Sequence, residues 1–145
     1  MPFIEGSARN VFVYEVENLA AGADIADRPI FAAPAGGAVV QKVGIVPQGA
    51  SAGVDDANTA VVTVEDGSGN ALVTKTYNTG TQPPGSGVYG DLGTLTAANA
   101  ILTANEVVRL DVTQGATADL PIPGSLFASF ASWWFNRSLG SVKGA

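Results

Sequence analysis

Short runs of β-branched and aromatic residues, separated by Gly, Pro, Asn and Asp, recur along the 145-residue chain. Such runs at a spacing of roughly 8–15 residues are typical of all-β sandwiches, jelly rolls and barrels. The predicted strands are residues 11–17, 38–46, 60–65, 71–77, 106–113 and 126–135, with a further extended stretch at 28–31. Residues 66–70, an Asp-Gly-Ser-Gly-Asn sequence between two of these runs, predict a hairpin turn.

Two segments leave a helix open. Residues 19–27 suit a helical turn, although Gly22 weakens it, and residues 96–104 suit a short helix capped by Thr96. We nevertheless expect an all-β protein, a jelly-roll-like β-sandwich that spans residues 11–139. An extended N-terminal arm is predicted at residues 1–10 and a C-terminal tail at 140–145, since neither segment has a strand pattern.

The composition excludes several function classes. The chain has no His and no Cys, so the imidazole and thiolate groups that drive much hydrolytic and metal-assisted chemistry are missing. The net charge is -6 and the seven basic residues are scattered, which argues against a nucleic-acid partner. No stretch approaches the ~20 apolar residues of a membrane span, and the N-terminus lacks the pattern of a signal peptide.

The charged fraction is only 14%, against about 25% in a typical globular domain. Interface centres are depleted in charged residues, so this composition favours a surface that a partner covers. The alternative is a monomer with a bland surface of small uncharged side chains. We expect a homo-oligomer, with a dimer favoured over a trimer.

Acidic residues offer two weak candidates for chemistry. Asp55, Asp56 and Asp66, with two neighbouring asparagines, could supply oxygen ligands for calcium, but Asx residues are equally typical of ordinary turns. Glu15 and Glu17 lie on one face of a predicted strand, close enough for the carboxylate pair of a glycosidase, but a solvated strand face explains them as well. We therefore predict no enzyme activity, no catalytic or metal site and no cofactor.

The most distinctive cluster is aromatic. Phe127, Phe130, Trp133, Trp134 and Phe135 lie in the last predicted strand, where strand alternation puts a large ring on each face. Such a strand is either central in a sandwich or covered by a partner, and stacking on sugar rings is a third interpretation. We predict that the face of Phe127, Trp133 and Phe135 points to the core. The candidate interface comprises these five aromatic residues together with two apolar residues of the arm, Phe3 and Ile4.

The central block of the chain carries a family resemblance. The sequence Val-Gly-Ile-Val-Pro-Gln-Gly-Ala at residues 43–50 is followed by Gly53, Asn58-Thr59, a strand, Asp66-Gly67 and a returning strand. This layout, with the late strand at 106–113 and a final strand after a Gly/Asp/Pro loop, resembles small β-sandwich virion proteins of tailed bacteriophages. The whole looks like a jelly-roll capsid decoration, or cement, protein.

The resemblance implies a non-enzymatic function. A protein of this type would be made in the host cytoplasm and lie on the outer capsid surface of the virion. It would bind the major capsid protein and copies of itself, and would stabilise the shell by bridging capsomers. The alternative function is a carbohydrate- or receptor-binding β module of a phage fibre or tail.

Overall fold

A computed structural model describes residues 9–15, 19–120 and 125–132, the first and last of these ranges by their backbone. These residues form strands joined by turns and loops. The strands are β1 (Arg9–Glu15), β2 (Ile25–Ala32), β3 (Ala38–Val46), β4 (Ala60–Glu65), β5 (Ala71–Tyr77), β6 (Gly90–Asp91), β7 (Ile101–Leu102), β8 (Val107–Gln114) and β9 (Ser125–Ser132). The expected all-β fold class is confirmed.

The strands make two antiparallel sheets. Sheet A has the order β1-β9-β3-β6, and the two-residue strand β7 also pairs with β3; sheet B has the order β2-β8-β4-β5. The pairing is nested, because β1 pairs with β9, β2 with β8, β3 with β6, and β4 with β5. Strands from the first part of the chain therefore pair with later strands in reverse order, alternately in one sheet and the other.

One hydrophobic cluster lies between the sheets. In β4, Val62 and Val64 are buried while the residues between and beside them are half-buried, and β8 alternates in the same way. Sheet A contributes Val43 and Ile45 to the same cluster. Every second residue of these strands is thus buried between the two sheets, as in a β-sandwich.

The central strands match their predictions closely. β3, β4 and β5 have the predicted bounds, and β8 begins and ends one residue later than predicted. β1 begins at Arg9, so the last two residues of the predicted arm belong to the sheet. The register explains the difference, because Arg9 and Asn10 pair with Ala131 and Phe130 of β9. The rest of the arm, and the tail, lie outside the described residues.

Both suggested helices are wrong. In residues 19–27 the carbonyls of Ala20 and Ala23 accept hydrogen bonds from the Gln114 side chain, and β2 begins at Ile25. In residues 96–104 a single turn at Thr96 gives way to β7, where the Val40 amide donates to the Ala100 carbonyl. In each case pairing with a distant strand satisfies backbone groups that a helix would otherwise have used.

Two adjacent valines of β4 test the assignment of the interior. Val62→Ala should cost about 2–3 kcal/mol of unfolding free energy, because Val62 is fully buried and its truncation leaves a cavity. Val61→Ala removes the same atoms from the half-buried outer face and should cost about 1 kcal/mol or less. Urea unfolding of both variants measures the difference. Equal losses would contradict the proposed orientation of β4.

Candidate functional site

The predicted aromatic interface is only partly within the described residues. Phe127 and Phe130 lie in β9, which pairs with β1 on one side and with β3 on the other. The backbone hydrogen-bonding edges of this strand are therefore used within sheet A. The other candidates lie outside the described residues: Phe3, Ile4, Trp133, Trp134 and Phe135.

The register of β9 assigns its positions to the two sides of sheet A. Phe130 pairs with Val40 and Leu126 with Ile45, both buried residues of the core cluster. Directly paired residues share a face, so the positions of Leu126 and Phe130 are on the core side. Phe127 pairs instead with Gly44, on the outer side of sheet A. The register thus puts position 127 opposite Gly44, while Trp133 and Phe135, the other members of the face predicted to point to the core, lie outside the described residues.

Both ends of the described chain meet at one end of sheet A. Arg9, at the start of β1, pairs with Ala131, and Ser132 at the end of β9 pairs with Ala38. Residues 1–8 and 133–145 therefore join the sandwich at neighbouring strands. Sequence reasoning placed five of its seven interface candidates in these two segments, and the register brings their attachment points together.

The opposite edge of sheet A is notched, because β6 and β7 are both short. β7 pairs with Ala38 and Val39, while β6 pairs with Gly44 and Ile45. Between them lies an open cavity of about 600 Å³, here called the edge groove. Its lining is mainly apolar and includes Val39, Lys42, Asp91, Leu95, Ala97 and Ile101.

Two charged residues of the edge groove, Lys42 and Asp91, lie beside the ring of Tyr89. The Lys42 ammonium lies 3.4 Å from the Asp91 carboxylate and 5.1 Å from the centroid of the Tyr89 ring. The ring packs over Gly44, where a Cβ atom would come within 2.4 Å of it. Partial burial, followed by the nearby Asp91 carboxylate, raises the pKa of the Tyr89 hydroxyl.

One large apolar side chain of the groove lining is exposed: Ile101 is 49% exposed. Tyr89, whose ring lies beside the lining residue Lys42, is 41% exposed. Isolated exposed apolar residues are ordinary, but exposed apolar side chains beside an apolar cavity are typical of a binding surface. No local pattern in the sequence indicates this surface, because residues 90–105 alternate neither as a clear strand nor as a clear helix.

Sheet B carries a different candidate, a group of three carboxylates. Oxygens of Asp27, Glu65 and Asp111 lie within 4.8 Å of one another on β2, β4 and β8. The Asp27 amide donates to Asp111 Oδ1 at 2.8 Å, and the Arg109 guanidinium is 3.9 Å from Asp27. Oxygens in this arrangement could hold a divalent cation. Desolvation, followed by the nearby Asp111 and Asp27 carboxylates, raises the pKa of Glu65.

The acidic residues that suggested calcium act in turns. Asp55 Oδ1 accepts hydrogen bonds from the backbone amides of Ala57 and Asn58 at 2.8 and 2.7 Å. Asp66 Oδ1 accepts from the amides of Ser68 and Asn70 at 2.8 and 2.9 Å. Their carboxylate oxygens thus serve the local backbone, as Asx turns require. The two groups also lie in separate loops and do not form one ligand set.

The buried Tyr77 hydroxyl has no hydrogen-bond partner among the described residues. Tyr77 belongs to the core cluster at the end of β5, and burial raises its pKa to about 12. The phenol therefore stays protonated at neutral pH. Its place inside the sandwich separates it from the solvent-facing carboxylate group.

No protein-family model, curated protein or solved structure matches this chain. Within the part of the chain that the structure describes, no helix has the length and apolarity that crossing a membrane requires.

The carboxylate group on sheet B should lower stability at neutral pH. Because the folded-state pKa of Glu65 is raised, stability falls as pH rises from the ordinary Glu value of about 4.3 through the raised pKa. Glu65→Gln should remove this fall and stabilise the protein by up to about 1 kcal/mol at pH 7. Thermal unfolding of the wild type and of Glu65→Gln between pH 3 and 8 measures both the pH dependence and the stabilisation.

A matched change at Glu106 provides the control. Its carboxylate accepts hydrogen bonds from the Thr103 amide and hydroxyl at 2.8 and 3.2 Å, so Glu106→Gln should not stabilise. If Glu65→Gln destabilises as Glu106→Gln does, the repulsion among the three carboxylates is not significant.

The hairpin turn depends on Asp66. Burial alone would raise the pKa of Asp66, but hydrogen bonds from Asn70 and Ser68 outweigh it and lower the pKa. The carboxylate therefore contributes stability above the ordinary value of about 3.9, and this is lost as pH falls through the lowered pKa. Asp66→Ala should cost about 1.5–3 kcal/mol at pH 7, because it leaves the turn amides without their charged acceptor.

Asp55→Ala, in the exposed turn, is the comparison for Asp66→Ala. It removes the same kind of bonds where water can replace them, so its loss should be smaller. Urea unfolding at pH 7 and pH 3 measures both variants. Equal losses at pH 7 would show that burial of Asp66 adds nothing.

Proposed function

We propose that this chain is a structural virion protein of a tailed bacteriophage, a jelly-roll decoration protein that binds the outside of the capsid. Its partners are the major capsid protein and copies of itself. It stabilises the shell by bridging capsomers, and it is not an enzyme. It is made in the host cytoplasm and ends on the outer capsid surface.

The nested strand pairing supports the jelly-roll part of this proposal. A jelly roll arises when a long antiparallel hairpin wraps around into two sheets, which pairs early strands with late strands in reverse order. The pairs β1–β9, β2–β8, β3–β6 and β4–β5 follow that rule, with β7 as a short addition beside β6. A fold alone does not define a function, so the surface must carry the rest.

The observation that carries the function is the common attachment point of the two terminal segments. Residues 1–8 and 133–145 join adjacent strands at one end of sheet A and contain Phe3, Ile4, Trp133, Trp134 and Phe135. Two apolar segments that start side by side can reach two neighbouring subunits of a shell, and linked contacts multiply affinity. The low charged fraction suits a protein whose surface is largely covered.

A carbohydrate- or receptor-binding module remains the second candidate. The edge groove favours it, because an exposed ring at Tyr89 stands beside the polar groups of Lys42 and Asp91. Cavities of roughly 300–1,000 Å³ with a few polar groups are typical of small-ligand sites. A glycan would then stack on the ring and exchange hydrogen bonds with the two charged side chains.

Co-sedimentation with phage shells tests the proposal. The full chain should bind the outside of its shell saturably, and deletion of residues 1–8 or 140–145 should weaken binding while circular dichroism stays unchanged. The deletion stops at residue 8 because Arg9 begins β1. Thr76→Arg, on the exposed outer face of sheet B, is the control and should bind normally.

Two outcomes would count against the decoration role. If both deletions leave shell binding unchanged, neither residues 1–8 nor residues 140–145 attach the protein to the shell. If the chain binds no shell but binds an immobilised glycan, and Tyr89→Ala abolishes this, the carbohydrate-binding alternative replaces the proposal.

A further inference from the structure

We propose that the edge groove binds residues 133–145 of a second copy of this chain, with Trp133, Trp134 and Phe135 as the anchoring side chains. This inference goes beyond the proposed function, because it names the contact between copies and does not depend on the capsid.

The chemistry of the edge groove suits aromatic anchors. Its lining is mainly apolar, with Val39, Leu95, Ala97 and Ile101 among its walls, and its one close charge pair is Lys42 with Asp91. Large rings inserted into such a cavity bury much apolar area, and tryptophans in pockets dominate many interfaces. Both tryptophans of the chain lie in residues 133–145.

Charge also favours this occupant. Residues 133–145 contain Arg137 and Lys143 and no acidic residue, giving +2. Residues 19–120 contain four basic and ten acidic residues, giving a net charge of 4 − 10 = −6. The positive charge of residues 133–145 therefore attracts them to residues 19–120 of another copy, whereas residues 19–120 of two copies repel each other.

The direction of β9 indicates that the groove receives the segment from another copy. The first residue of β9, Ser125, pairs with Val46, and its last, Ser132, pairs with Ala38. Ala38 also pairs with β7, so β9 runs toward the end of sheet A where β7 lies. The edge groove extends the other way, from β7 toward β6. To fill it within one chain, the segment would have to reverse immediately after Ser132.

The sequence after Ser132 opposes that reversal. The next three residues are Trp, Trp and Phe, and the first residues that favour a turn are Asn136 and Ser138. A turn there would place the three rings before it, already carried past the groove. A second copy has no such restriction, since its segment can approach the groove from the open edge.

Sedimentation of the full chain over a range of concentrations tests the inference. The wild type should associate, and its tryptophan emission should shift to longer wavelength on dilution, as the rings leave the groove. Ile101→Arg, which puts a cation in the apolar wall, should raise the dissociation constant at least about tenfold. The double variant Trp133→Ala/Trp134→Ala should do the same.

Val88→Arg is the matched control for Ile101→Arg. Val88 is similarly exposed, at 54% against 49%, but it does not line the edge groove. The same change from an apolar side chain to a cation should therefore leave association unchanged. Circular dichroism and thermal unfolding test whether each variant is folded, and the exposure of Ile101 and Val88 leaves room for the arginine at both positions.

Mixing the two defective proteins separates exchange between copies from docking within one chain. The Ile101→Arg copy keeps its segment and the tryptophan double variant keeps its groove, so the mixture should regain association that neither has alone. A mixture that stays monomeric would overturn the proposal. A wild type that stays monomeric would also overturn the proposal. Tryptophan emission that is shielded at all concentrations would then indicate docking within one chain, and solvent-exposed emission would indicate that the groove serves another partner.

These results are independent of the proposed function. Shell co-sedimentation decides whether the protein decorates a capsid, and sedimentation of the chain by itself decides whether the groove joins copies. A shell-binding protein that stays monomeric in solution would overturn only the inference, and an associating protein that binds no shell would overturn only the decoration role.

Discussion

Insertion of late strands between early ones is the constraint on which this fold depends. β9 separates β1 from β3 and pairs with both, and β8 does the same between β2 and β4. Neither sheet can be complete until the last third of the chain is in place. Contacts between residues so far apart in sequence carry a high loop-closure cost, so we expect folding to be slow for a chain of this size.

The same constraint shapes the surfaces that remain for partners. Because β9 is paired on both sides, the described edges of sheet A are β1 on one side and β6 with β7 on the other. The second of these edges is broken into two short strands, and the gap between them forms the edge groove. On sheet B, Lys75 of the edge strand β5 pairs with the buried Val62 of β4. Lys75 is therefore on the side of the sheet that faces the core. An inward lysine on an edge strand discourages pairing with another sheet.

The two surfaces differ in what they can do. The outer side of sheet B presents threonines and charged residues, such as the Thr63–Thr74 pair and the Asp27, Glu65 and Asp111 carboxylates. Water solvates such a surface well. The edge of sheet A instead presents Ile101 in the wall of a cavity and Tyr89 beside it. Apolar area is the main source of association energy, so this edge has more to gain from a partner.

The sequence by itself determined the local features whose cause is local. β3, β4 and β5 have their predicted bounds because period-2 alternation and the Asp66–Asn70 turn chemistry act over a few residues. The sequence could not determine where β1 begins, because this depends on the pairing of Arg9 with Ala131 of β9. Nor could it determine that residues 96–104 form a turn and a short strand.

Tertiary structure alone decided the outer and inner faces of β9 and the existence of the edge groove. Both faces of that strand are apolar in sequence, so only its register with Val40 and Gly44 distinguishes them. The groove exists because β6 and β7 each pair with only two residues of β3. A local sequence pattern does not indicate where a strand lacks a neighbouring strand. Alternation fixes which residues share a face; only the packing of one sheet on the other fixes which face is covered.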